Sequence, residues 1–321
     1  MNLLTKQRDV TADMLKGWAI LLVIVGHVSS ISPIVKSLIF SFHMPLFFLV
    51  AGWFFHPKVD LRKKWISDSK RLLLPYVVVC ILLVGYSLLT NCLLRHNWTQ
   101  MEHVLIMTLY PQGNKAITDS LSMPVWFLFA LFWARQMMNV EFLKLKRYKF
   151  PVLIGIGLIV ALGTKYLPWS FPLAFMQGCA AIIYMCIGYF MKQFLGKKWL
   201  ALVGGVSIIL WLVYFPYSGV NMMANDYHIY LLDVLAAVGA VCFFRYLFLA
   251  FQKVRALSFL NHFLAWAGRC SMGILCVHTV LRFVGWQRVL HTDNPIIWAS
   301  MDMLVCVLFT LCFQKIKVTR N

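Results

Sequence analysis

Acidic residues are scarce in this chain: 11 Asp and Glu stand against 30 Lys and Arg in 321 residues, a formal net charge of +19. Charge of either sign is scarce too, at 13% of residues, where a soluble domain carries roughly 25%. That shortage excludes an ordinary water-soluble fold. With 61% hydrophobic residues and a mean hydropathy of +0.76, the chain has more apolar surface than a protein of its size buries. None of the nine cysteines forms a CxxC pair, and Cys80, Cys179, Cys186, Cys242, Cys276, Cys306 and Cys312 lie within apolar runs, so neither a metal site nor a disulfide framework is expected. Internal repeats of the kind that mark the inverted halves of a secondary transporter are also lacking. The first apolar run, Trp18 to Val28, closes on His27 without a small-residue cleavage site, and is expected to insert as an uncleaved anchor.

What is present is a series of apolar segments. A helical span needs about 20 mostly apolar residues, and ten stretches answer to that: 14–31, 34–55, 72–94, 124–141, 150–168, 172–192, 199–217, 229–250, 270–286 and 295–313. The expected fold is therefore all-α, a polytopic transmembrane helical bundle of about ten spans in a single domain, 1–321. The run at 103–110 is too short to cross, and 256–268 reads as an amphipathic interfacial segment. With the N-terminus in the cytoplasm, 22 basic residues fall on the inner side and five on the outer, while Arg135, Arg245 and Arg282 lie within spans. That asymmetry follows the positive-inside rule and puts both termini in the cytoplasm. It also accounts for the basic excess without nucleic acid. The expected location is the inner (plasma) membrane of a bacterium, multi-pass, with membrane lipids as partners. The longest outer loop, roughly 95–123, is a candidate lid or acceptor-binding loop.

Ionisable groups inside spans are costly in lipid, so each is a functional candidate. His27, His43 and His278 qualify, with Asp233 and Asp302 nearer the outer ends of their spans. A buried histidine can also be structural, donating to a carbonyl; three together favour a shared polar cavity. Lys16 and His27 are eleven residues apart, which places them on one helix face about 16 Å apart along the axis. A long anionic ligand entering from the cytoplasm would meet the cation first and the imidazole last. The plainer alternative is that Lys16 pairs with Asp13. In span two, Pro45 cannot donate to the Ser41 carbonyl, which leaves that carbonyl free beside His43. The cluster Arg62-Lys63-Lys64…Lys70-Arg71 is either topogenic charge or a phosphate-binding rim.

These residues resemble a known family. Asp13-Met-Leu-Lys16-Gly17-Trp18 through Gly26-His27 is similar to the opening helix of the acyltransferase-3 family of membrane acyltransferases. Ser41-Phe-His43-Met-Pro45 through Gly52 resembles its second helix, and Lys70-Arg71-Leu-Leu-Leu-Pro75-Tyr76 its basic entry to span three. Pro124-Val-Trp126-Phe127-Leu128 and Ser271 to His278 resemble later blocks, in order along the chain. The resemblance implies transfer of an acyl group, most often acetyl from cytoplasmic acetyl-CoA, to a hydroxyl of a cell-envelope glycan or lipid-linked sugar. It makes His27 the essential histidine and Arg71 a basic position near the cytoplasmic opening. Lys16 stands where most members have arginine, keeping the charge and losing the bidentate fork. Many members have another arginine close to Arg71; Leu72 to Leu74 supply none.

On that basis Lys16, Lys70 and Arg71 would receive the phosphates of acetyl-CoA, an acyl-donor substrate; no permanently bound cofactor is expected. His27 would act as general base on the acceptor hydroxyl, with an acyl-imidazole as the other route. His43 and His278 would orient or polarise partners, and Trp126, Asp233 and Asp302 would meet the acceptor, Trp126 being equally well read as an aromatic anchor at the membrane interface. The rival class is a membrane transporter or flippase of a glycan or organic anion, which needs the same mid-membrane polar groups and does not consume acetyl-CoA.

Overall fold

The computed structural model describes residues 8–28, 31–94, 96, 98–112, 123–144, 148–167, 169–194, 198–285 and 294–318. They form fourteen α-helices: α1 Val10–Gly26, α2 Pro33–Phe40, α3 His43–Trp53, α4 Leu61–Asp68, α5 Leu74–Ser87, α6 Trp98–Leu109 and α7 Trp126–Lys144, then α8 Lys149–Gly163, α9 Phe175–Phe194, α10 Lys198–Tyr214, α11 Tyr230–Phe251, α12 Ser258–Arg269, α13 Ser271–Val284 and α14 Pro295–Val318. Among the described residues there is no strand, only an isolated bridge between Asn221 and Asp226. The all-α expectation is met, and helix occupies each of the ten apolar segments.

Among the described residues, five helical stretches are both long and apolar enough to cross a membrane: Pro33–Trp53, Leu61–Asn91, Phe175–Lys192, Tyr230–Phe251 and Pro295–Cys312. Counting the helical stretch Arg255–Arg269 with α13, which follows it at a 73° bend, as one broken span makes six. The other segments fall short for physical reasons. α1 has 17 residues and α8 has 15. α7 carries Arg135, Gln136, Asn139, Glu141 and Lys144 along its length. The continuous helix 61–91 spans 31 residues, about 46 Å at 1.5 Å per residue, well beyond a hydrocarbon core of about 30 Å. Its polar first turns, α4, therefore project beyond the membrane. Exposed apolar side chains lie where lipid would meet them: Val78, Ile81 and Leu82 on α5, Val206, Ile209 and Val213 on α10, Leu304 and Leu308 on α14.

Packing centres on α1. Its N-terminus is capped by Asp9, whose carboxylate accepts from the Ala12 amide at 3.0 Å. Met14, Leu15, Ala19, Ile20, Val23 and Ile24 are all buried. α12 lies across it through a glycine pair. A Cβ on Gly17 would stand 1.9 Å from the Leu264 carbonyl oxygen, and one on Gly268 would stand 1.8 Å from that of Asp13. α12 is amphipathic as expected, and its buried side, Asn261, Leu264, Ala265, Ala267 and Gly268, is spent largely on α1. Gly52 and Gly188 make a second crossing of this kind between α3 and α9, with Cβ positions 1.9 Å from the Met185 and Leu49 oxygens. Small residues that let backbones touch are how helices associate in lipid, where the hydrophobic effect gives no drive between them.

Candidate functional site

His27 follows the last residue of α1 and caps it, its amide donating to the Ile24 and Val25 carbonyls. The helix ends there instead of continuing to 31, so the imidazole stands free of the helix barrel. Its Nδ1 lies 2.7 Å from the Val23 carbonyl oxygen. A carbonyl only accepts, so Nδ1 carries the proton and Nε2 holds a free lone pair. His43 repeats this arrangement. The helix breaks at Ser41 and Phe42, His43 opens α3, and its Nδ1 donates to the Ile39 carbonyl at 2.8 Å. The break comes before Pro45, which sits in the first turn of α3, where an amide proton would find no helical partner anyway. The carbonyl that meets His43 is thus that of Ile39. The Ser41 hydroxyl donates to Leu38 and accepts from the Trp211 indole at 3.0 Å.

His27 and His43 line one cavity of about 460 Å³, together with Lys36, Phe40, Pro124, Trp126, Asn221 and Arg282. His278 on α13 stands just behind it, its ring centroid 5.3 Å from that of His27. Its Nδ1 is 2.8 Å from Oδ2 of Asp302 on α14, and its Nε2 is buried without a hydrogen-bond partner among the described residues. The three histidines do share one polar region. Trp126 is on the cavity wall, whereas Asp302 does not line it and stands against His278 and near Arg282 of that wall.

A second cavity, of about 380 Å³, lies further toward the N-terminal end of α1. It is lined by Lys16, Arg71, Arg135 and Arg269, with apolar walls from Ile20, Phe47, Phe127 and Leu131. Lys16 pairs with Asp13 at 2.7 Å and faces this cavity as well, so both readings of it hold at once. Arg71 lines the cavity; Lys70 is exposed and does not. Arg135 is held from behind by Asp68, its guanidinium 2.9 Å from Oδ1. Gln136 donates to the other oxygen of Asp68 at 3.0 Å, and Lys64 pairs with it too. Burial alone would raise the Asp68 carboxyl, but Arg135 and Lys64 reverse this and hold it below its ordinary value.

Asp233 lies outside both cavities. It is 1% exposed on α11, accepts from the Ser218 hydroxyl at 3.0 Å, and sits near Tyr214 and Tyr227. Its position is behind the loop whose residues Val220 to Met223 form part of the histidine cavity wall. The cavity residues that sequence reasoning did not assign are Lys36, Arg135, Asn221, Arg269 and Arg282. For Arg135 and Arg282 the signal existed, since both are arginines inside apolar segments, the same criterion that singled out the histidines. Part of the candidate lid loop, residues 113–122, lies outside the described residues.

A family model described as an acyltransferase domain matches residues 10–313, nearly the whole chain. Neither a curated protein nor a solved structure matches it.

Proposed function

Because the chain belongs to the acyltransferase-3 family of membrane acyltransferases, we propose that it moves an acetyl group from cytoplasmic acetyl-CoA to a hydroxyl of a cell-envelope glycan or lipid-linked sugar. The observation that carries this reading is the pair of cavities in series along α1, one lined by four cations and the next by two histidines with open Nε2 lone pairs. Acetyl-CoA is a long molecule with phosphates at one end and a thioester at the other. Lys16, Arg71, Arg135 and Arg269 suit the phosphates, with Lys70 at the exposed rim, and the separation of Lys16 from His27 suits the pantetheine arm. In this reading the cation cavity opens to the cytoplasm, the ten helical segments all cross, and both termini are cytoplasmic in the plasma membrane of a bacterium.

The acceptor hydroxyl enters the histidine cavity, where Trp126 offers a face for a sugar ring. His27 Nε2 takes the hydroxyl proton as the oxygen attacks the thioester carbonyl carbon. The carbon–sulfur bond then breaks, the acetyl ester leaves on the acceptor, and the CoA sulfur receives the proton back from the imidazolium. The Val23 carbonyl keeps Nδ1 protonated and Nε2 in play throughout. Lys36, Asn221 and Arg282 are the cavity groups able to stabilise negative charge on the thioester oxygen.

The test is a thermal-shift titration of the detergent-purified protein with acetyl-CoA, run beside an assay for released CoA thiol, on wild type and His27→Ala. Acetyl-CoA should stabilise both proteins with increasing concentration, because a ligand of the folded state raises apparent stability. Thiol release should fall roughly 100- to 10,000-fold in the variant, the range of a lost general base. No shift of the wild type at millimolar acetyl-CoA would remove the donor assignment and return the chain to the transport alternative.

A further inference from the structure

The histidine cavity and the cation cavity adjoin along α1. Three residues belong to the walls of both: Val23 of α1, Met44 of α3 and Leu275 of α13. They form an apolar partition contributed by three helices. Each stands beside one of the histidines: Val23 one turn before His27, Met44 next to His43, Leu275 one turn before His278. A thioester moving from the cation side to the imidazoles passes these three side chains.

The three residues differ in their freedom to yield. Val23 is 2% exposed, and its carbonyl is occupied by His27. Leu275 is 6% exposed and packed within the core. Met44 is half-buried and unbranched, with three rotatable side-chain bonds, and sits directly after the break between α2 and α3. It is the member that can swing aside without moving a helix.

We propose that Val23, Met44 and Leu275 form the aperture through which the acyl thioester passes, that Met44 is its moving leaf, and that this ring restricts the donor to short acyl chains. The inference rests on the transfer reading above and adds to it the class of acyl group. The ring offers only apolar side chains, so it selects by size and not by hydrogen bonding. In such a site each added methylene is discriminated by roughly 10- to 200-fold.

The experiment measures kcat/KM for thiol release from acetyl-, butyryl- and hexanoyl-CoA with a fixed acceptor, in wild type, Met44→Ala, Leu275→Ala and Met44→Leu. The wild type should prefer acetyl-CoA. Met44→Ala should raise the butyryl-to-acetyl ratio by about tenfold or more, and Leu275→Ala should move it the same way from the opposite wall, so the idea stays testable if one variant fails to fold. Met44→Leu, which nearly conserves volume, should keep the ratio close to wild type. A ratio unchanged in both alanine variants, or wild-type use of hexanoyl-CoA as readily as acetyl-CoA, would overturn the aperture and leave acetyl transfer standing. Wild type that releases thiol from none of the three donors would overturn the transfer reading itself and the aperture with it.

Discussion

After His27, His278 is the histidine whose contacts are most sharply drawn. Its Nδ1 is engaged by the Asp302 carboxylate at 2.8 Å and its ring faces His27 at 5.3 Å. In the proposed reading Asp302 is a positioning residue that holds the His278 ring through Nδ1, with Nε2 on the buried side. Replacing Asp302 by Asn removes the charge that holds this ring. The expected outcome is a drop in kcat of up to about 100-fold, with KM for acetyl-CoA within about threefold. A proportional rise in KM would mean that Asp302 shapes binding instead. The cations divide in a similar way. Arg135→Ala should raise the Kd for CoA about tenfold, the worth of one charge-assisted contact, whereas Lys70→Ala at the exposed rim should change it little; titration calorimetry separates the two. Sequence singled out the histidines because ionisable groups in apolar runs are rare. It could not say that Asp302 meets one of them while Asp233 bonds Ser218 outside both cavities, since those partners are set by how neighbouring helices and loops pack in three dimensions.

At the scale of helices, two features control where the site residues stand. The first is the contact of α1 with α12. A methyl group on Gly17 would stand 1.9 Å from the Leu264 oxygen, so Gly17→Ala must force the helices apart. It should cost about 3 kcal/mol or more, seen as a lowered Tm in detergent. Gly205 on α10 has nothing within 4 Å of the same position, and Gly205→Ala should be neutral or stabilise by up to about 1 kcal/mol. The second feature is the tether from α4 to α7 through Asp68. Removing one partner of a buried ion network leaves the others uncompensated, so Asp68→Asn should destabilise by roughly 3 kcal/mol and loosen Arg135. Since the carboxyl of Asp68 is held below its ordinary value of 3.8, the advantage of wild type over this variant should be complete above that pH. It should then fade as the pH drops through the lower value that Asp68 has in the fold. A stability difference independent of pH would show that Asp68 acts through packing alone. The amphipathic pattern of 256–268 was legible in the sequence; its docking on α1 was not, because an apolar stripe reads the same whether it meets lipid headgroups or a groove between helices.

For the whole molecule, each of the ten apolar runs holds helix, as lipid demands of a backbone that does not close into a barrel, while α4 lies outside them all. Their lengths were less legible: helix α1 stops at Gly26 because His27 caps it, and α7 keeps polar residues that face neighbours instead of lipid. The arrangement across the membrane then rests on charge. Gln252, at the end of α11, donates to the Thr11 hydroxyl near the start of α1 at 2.9 Å, so Lys253 and Arg255 gather at the same face as Arg8 and Lys16. Asp226 belongs to the opposite end, in the loop bridged to Asn221 on the histidine cavity wall. Both Lys253 and Asp226 are exposed, which makes them suitable reporters. If the cation cavity faces the cytoplasm, Asp226→Cys should react in intact cells with a membrane-impermeant maleimide above the wild-type background, and Lys253→Cys only after permeabilisation. The reverse pattern would put the cations outside, out of reach of cytoplasmic acetyl-CoA, and the proposed direction of transfer would fall with it.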